Sequence, residues 1–115
     1  MRQTSIAFQS RDWSSIPATP IAEGIERQMI WGEHLMVCRL RLRANVVTPV
    51  HTHPHEQITL VEQGRVKFFV EDQEHVVGPG AVLHFPSGIR HGATMLDEDV
   101  VLVDIFTPLR EEFLP

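Results

Sequence analysis

From residue 35 to residue 107 the chain is a series of short apolar runs, each cut off by glycine, proline or a polar turn before it reaches helical length. "LMVCRLRLR" (35–43) alternates: Met36, Cys38, Leu40 and Leu42 fall on one side, Val37, Arg39, Arg41 and Arg43 on the other. A period of two is a strand with one apolar face, here backed by a strip of arginines. "QITLVEQ", "RVKFFVE", "EHVVG", "AVLHFP" and "VVLVDIF" follow, separated by Gly64, "EDQE", "GPG" and "PSG". The one helical candidate is the C-terminal "PLREEFL", where Pro108 can open a turn too short to stand alone. Many short strands without helical periodicity predict an all-β sandwich or barrel, and closure into a barrel also hides the strand edges.

Ahead of this region, "SSIPATP" (14–20) reads as an irregular lead-in punctuated by Pro17 and Pro20, and "IERQMIW" (25–31) as a strand added to the edge. The 115 residues suffice for one core and leave no room for a second. The expected organisation is one domain over 1–115, with its core at about 35–107, a lead-in and edge strand over 1–34, and a tail over 108–115.

A net charge of -5 with a single lysine gives no basic patch, which argues against nucleic acid and anionic membranes as partners. A small anionic ligand would have to be held by local arginines against that field. No apolar run reaches the length of a membrane span, the first residues lack a secretory core segment, and the lone Cys38 excludes an internal disulfide. A cytoplasmic location is expected.

Chemistry concentrates in "VVTPVHTHPHEQITLVEQG" (46–64), where three of the seven histidines lie within five residues. In an extended chain, residues two apart share a face at roughly 6.5–7 Å. His51 and His53 can therefore tilt both rings onto one ion at bonds of about 2 Å. Pro54 lacks an amide donor and discourages continuation of the strand, which leaves His55 outside and lets a bend return Gln57 toward the ion. A further ligand must come from far along the chain, and His91, after "GAVLHFPSGIR", is the best placed. His34 and His75 read as surface or loop residues, and His84 as either a lining residue or core. On "VLVDIF", Leu102, Asp104 and Phe106 share one face. An aspartate among aliphatics is costly unless paired or used, so Asp104 is a functional candidate, or else faces solvent or a structural arginine.

These residues resemble the cupin superfamily, whose first motif is Gly-x5-His-x-His-x3,4-Glu-x6-Gly and whose second is Gly-x5-Pro-x-Gly-x2-His-x3-Asn. His51-x-His53-x3-Gln57-x6-Gly64 fits the first, and Gly80-x5-Pro86-x-Gly88-x2-His91 the second. Asn45 stands at the first glycine, Gln57 at the glutamate and Met95 at the final asparagine. Asparagine tolerates left-handed turns, so the first change is mild. The resemblance implies a jelly-roll (double-stranded β-helix) barrel.

"HTHPHEQ" with the tail "VVLVDIFTPLREEFL" is similar to the small cupins of the pectin-degradation type, which linearise and ketonise 4,5-unsaturated monouronates from pectin and alginate. That resemblance implies one divalent metal on His51, His53, Gln57 and His91, with nickel, zinc, iron, cobalt and manganese all suited to such ligands. It also implies Asp104 and Arg110 as catalytic residues, with Arg110 and Phe106 against a small anionic sugar. From chemistry alone, Asp104 can move protons, and Arg110 either holds a carboxylate bidentately or pairs with Glu111 or Glu112. Phe106 either packs on a sugar face or fills core. A cupin dioxygenase and a non-catalytic, metal-containing sugar-binding module are the competing readings. A homodimer is expected, because small cupins pair sheet edges and Ile25, Met29, Ile30 and Trp31 would be awkward exposed. Histidine ligands must be neutral, which sets metal release below about pH 6.

Overall fold

The computed structural model describes residues 7–115. Among them ten strands form two antiparallel sheets. They are β1 (Thr19–Ala22), β2 (Ile25–Trp31), β3 (Met36–Leu42), β4 (Val47–His51), β5 (Glu56–Gln63), β6 (Val66–Val70), β7 (Gln73–Val77), β8 (Val82–Phe85), β9 (His91–Met95) and β10 (Val100–Thr107). One sheet runs β1-β2-β3-β10-β5-β8 and the other β4-β9-β6-β7. The all-β architecture is the one the alternating pattern predicts, and its two-sheet jelly roll is the one the cupin resemblance implies.

The main core joins both sheets: Leu42, Val61, Phe85, Val100 and Leu102 from the first meet Val66, Phe68, Ala93 and Met95 from the second. Each of these side chains except Ala93 contributes about 1.5–3 kcal/mol by leaving water. A second cluster of Met36, Cys38, Phe106 and Leu109 lies at the end where the chain exits β10. Met29 and Trp31 of β2 pack against it, and Ile25 packs against the main core. The apolar face of β2, which motivated the dimer expectation, is thus taken up largely within the chain.

Several local readings need correction. The irregular lead-in ends earlier than expected, since Trp13–Ser15 form a 3-10 turn and β1 already begins at Thr19. Pro20 is tolerated there because, among the described residues, β1 pairs only with β2 and lies on the sheet edge. The C-terminal helix candidate is a single 3-10 turn, Glu111–Phe113. β9 carries Gly92 and two polar side chains in five residues, so its sequence lacks an apolar alternation. Gly92 is required by packing: a Cβ there would stand 3.0 Å from Thr48 O and from Val50 N of β4.

Two motif positions show why the backbone needs them. Asn45 has φ 67° in the turn between β3 and β4, so the residue at the expected glycine does adopt the left-handed conformation. Gly64 has φ 81°, and a Cβ there would also collide with Asp99 O and come within 2.9 Å of Val100 Cγ2. Gly88 shares the φ of 81° but has open space around it. Gly88→Ala is therefore expected to cost about 1–2 kcal/mol, from the left-handed backbone alone. Gly64→Ala should cost a further 1–3 kcal/mol or so for the overpacking. Urea unfolding of the two variants checks this, and equal losses would contradict it.

Candidate metal centre

β4 and β9 are paired so that His51 stands directly opposite His91, with ring centroids 4.6 Å apart. His53 follows the end of β4, its ring 5.5 Å from His51 and 5.1 Å from His91. One ligand atom from each of these three histidines lies within 4.8 Å of the others, close enough to hold one metal ion. The chain bends at Pro54 and His55 before β5 opens at Glu56. That bend returns Gln57 to the cluster, with its Oε1 3.1 Å from His53 Nε2. His55 turns away, and its Nε2 lies 3.1 Å from Leu109 O.

The hydrogen bonds fix which atoms are free to ligate. The Nδ1 atoms of His51, His53 and His91 lie 3.0, 3.1 and 3.0 Å from the carbonyls of Pro49, His55 and Ile89. A carbonyl can only accept, so each Nδ1 carries a proton and each neutral ring keeps its Nε2 lone pair. Such outer partners are the usual means of orienting metal-binding imidazoles. On β5 the Gln57 amide nitrogen donates to Thr59 Oγ1 at 2.8 Å, and Thr59 donates to Asp104 Oδ1 at 2.6 Å. That relay turns Gln57 Oε1 toward His53 Nε2, so two acceptors face each other. A cation held by both atoms would relieve that opposition.

Electrostatics favour the cation. Burial pushes the His53 imidazole down to about 4, helped by the Arg110 guanidinium and by His91, while the contact with Gln57 opposes. Burial likewise lowers His91. These residues fit a divalent ion through His51, His53, His91 and Gln57, all neutral donors.

Asp104, Phe106 and Arg110 line the same ≈ 310 Å³ cavity as His51, Gln57 and His91. Asp104 is 9% exposed, and burial pushes its carboxyl up to about 6 against the pull of Thr59, Arg110 and Gln57. Arg110 also realises the alternative read from sequence: its Nε and Nη2 both reach Glu112 Oε2, at 3.1 and 2.9 Å. Its guanidinium lies 5.2 Å from the Phe106 ring and 4.3 Å from Phe113. Phe106 fills core, one of the two alternatives read from sequence, and also lines the cavity. His84 is neither a lining residue nor core, because it is exposed and meets Glu56 at 2.6 Å. Burial and the neighbouring Asp104 push the Cys38 thiol up to about 12, so it stays protonated.

Two contributors were missed from sequence. Thr59 is a polar residue on the inward face of "QITLV", and Arg27 breaks an otherwise apolar face of "IERQMIW" shared with Ile25, Met29 and Trp31. A polar residue in register with inward apolar neighbours was the available signal for both.

The cupin domain family matches over residues 39–106, more than half of the chain, and the protein belongs to that family. A pectin degradation protein, KdgF, from Dickeya dadantii (strain 3937) is 29% identical over 100 residues, covering 85% of this chain and 91% of its own length. The structure of KdgF from Halomonas sp. matches with a TM-score of 0.84 and 27% identity, over 88% of this chain and 94% of that one. An RmlC-like cupin from Shewanella frigidimarina NCIMB 400 matches with a TM-score of 0.88 and 25% identity, over 95% and 98% of the two chains.

Replacing His51, His53 or His91 by alanine should abolish stoichiometric metal by elemental analysis, whereas His55→Ala should leave it nearly intact. Metal loss from His55→Ala alone would contradict the site.

The acid limit also moves. In the metal-free protein the folded pKa of His53 is depressed, so folding is favoured above the ordinary histidine value of 6.5. That contribution is lost as pH falls toward about 4, where the unfolded chain alone binds the proton. Asp104 acts oppositely, its contribution being lost as pH rises from 3.8 through about 6. Histidine NMR of the metal-free protein should find His53 still neutral at about pH 5. Titration of His53 near the ordinary value would contradict this.

Proposed function

We propose that the protein is a metal-dependent isomerase that opens and ketonises 4,5-unsaturated monouronates of the kind released from pectin or alginate. The observation that carries this reading is the meeting, in one cavity, of the histidine–glutamine cluster with a buried carboxyl and a guanidinium. The similarity to a pectin degradation protein supports the same substrate class.

In such a sugar the ring oxygen sits on C5 of the C4–C5 double bond. Opening takes the proton from the anomeric hydroxyl as the bond between C1 and the ring oxygen breaks, leaving an aldehyde at C1 and an enol at C5. Ketonisation adds a proton to C4 and removes the enol proton, leaving a ketone at C5. The product is an isomer, with no net gain or loss of protons. Asp104, with a carboxyl raised to about 6, is poised to take and return protons near neutral pH. Thr59 fixes its rotamer by donating to Oδ1. Arg110, at the cavity wall, attracts the acid group, and Phe106 offers an apolar surface for the sugar face. A divalent ion on His51, His53, His91 and Gln57 would supply Lewis-acid stabilisation of negative charge on substrate oxygens.

The test is the loss of ultraviolet absorbance when metal-loaded protein meets an unsaturated monouronate, since ketonisation removes the conjugated double bond. The wild type should show it without consuming dioxygen; dioxygen uptake with no absorbance loss would mark the dioxygenase reading instead. Asp104→Asn should turn over about 10²-fold more slowly or worse while keeping its metal. An Asp104→Asn enzyme as fast as wild type would remove Asp104 from the mechanism. Arg110→Ala should act mainly on KM, and Arg110→Lys should restore only part, because the two-pronged geometry is lost.

A further inference from the structure

Arg27 reaches the cavity from β2, three strands across the sheet from β5 and its Gln57. Its guanidinium stacks 4.1 Å from the centroid of Phe113, and that of Arg110 lies 4.3 Å from the same centroid. Two cations gathered at one ring repel each other unless anions balance them. Arg110 has such an anion in Glu112. Among the described residues no carboxylate pairs with Arg27, and its Nε is buried with no hydrogen-bond partner. A buried guanidinium donor without an acceptor is costly, and a ligand that brings the acceptor recovers that cost. Among the described residues the one carboxylate lining the cavity, Asp104, is engaged by Thr59.

We infer that Arg27 completes a two-arginine clamp with Arg110, and that it selects ligands bearing a carboxylate over neutral sugars of the same shape. Phe113 sets the plane of both guanidiniums, so the C-terminal turn positions the clamp. Arg27 carries the selectivity, because among the described residues its Nε has no acceptor, where two of the Arg110 nitrogens are committed to Glu112. The inference takes only the acid character of the ligand from the proposed uronate reading, and its test does not require turnover.

The experiment is calorimetric binding of galacturonate and of galactose, neither of which carries the double bond, to the metal-loaded protein. Wild type should bind galacturonate more tightly than galactose. Arg27→Gln, which keeps much of the stem, should weaken galacturonate by about tenfold or more and leave galactose unchanged. Should that variant not fold, Arg27→Lys keeps the charge without the fork, and the preference for the acid should still shrink by about threefold or more. Three results would overturn the inference: no acid preference in wild type, wild-type binding of galacturonate by the variant, or equal loss for both sugars. The last would mean that Arg27 merely props Phe113. A wild type that prefers galacturonate yet never ketonises an unsaturated uronate would sink the isomerase reading and leave the clamp standing.

Discussion

Two acceptors facing each other across 3.1 Å, His53 Nε2 and Gln57 Oε1, are the constraint on which the site depends. Neither can turn away at no cost. The imidazole is held by the His55 carbonyl, and the amide is held by a relay through Thr59 to Asp104. An ionised carboxylate can only accept, so Asp104 sets the direction of that whole relay. The relay exists because β5 and β10 pair in a register that puts Thr59 opposite Asp104 and Gln57 opposite Phe106. One pair of strands thus couples the candidate metal centre to the group proposed to move protons.

The cavity is an electrostatic exception in a chain of net charge -5. Its walls hold Arg27, Arg110 and the histidine cluster against a single carboxylate. Because Gln57 stands where the family motif carries a glutamate, a bound dication keeps its full charge, which suits an anionic ligand better than a site that neutralises one unit. The Glu112 contact with Arg110 is half-exposed and therefore weak, so the carboxylate of a ligand can compete with it.

Much of this was legible in the sequence, for local reasons. Strand alternation in "LMVCRLRLR" and "VVLVDIF", and the turn residues between runs, reflect side-chain direction and backbone conformation, which neighbouring residues determine. Asn45 at a glycine position announced a left-handed turn, and the structure has one. The spacing of His51, His53 and Gln57 is local in the same way, whereas His91 was marked by its own motif and reaches them through the pairing of β4 with β9. What was not legible depends on distant pairing. β9 lacks an apolar alternation because its backbone fits against β4 at Gly92. His84 could not be oriented until its pairing with Ile58 put it on the outer face. Thr59 and Arg27 gain their meaning only from strands far away in sequence, and the tail helix shrank to one turn because Arg110 and Phe113 pack back on the cavity.

The most direct test of the account is the position of the metal in crystals of the loaded protein, by anomalous scattering at that metal's absorption edge. The account places one peak at bonding distance, about 2.0–2.2 Å, from Nε2 of His51, His53 and His91 and from Oε1 of Gln57. It also leaves the three Nδ1–H bonds to backbone carbonyls intact. A peak elsewhere, ligation through Nδ1, or a Gln57 amide turned with its nitrogen toward His53 would contradict it.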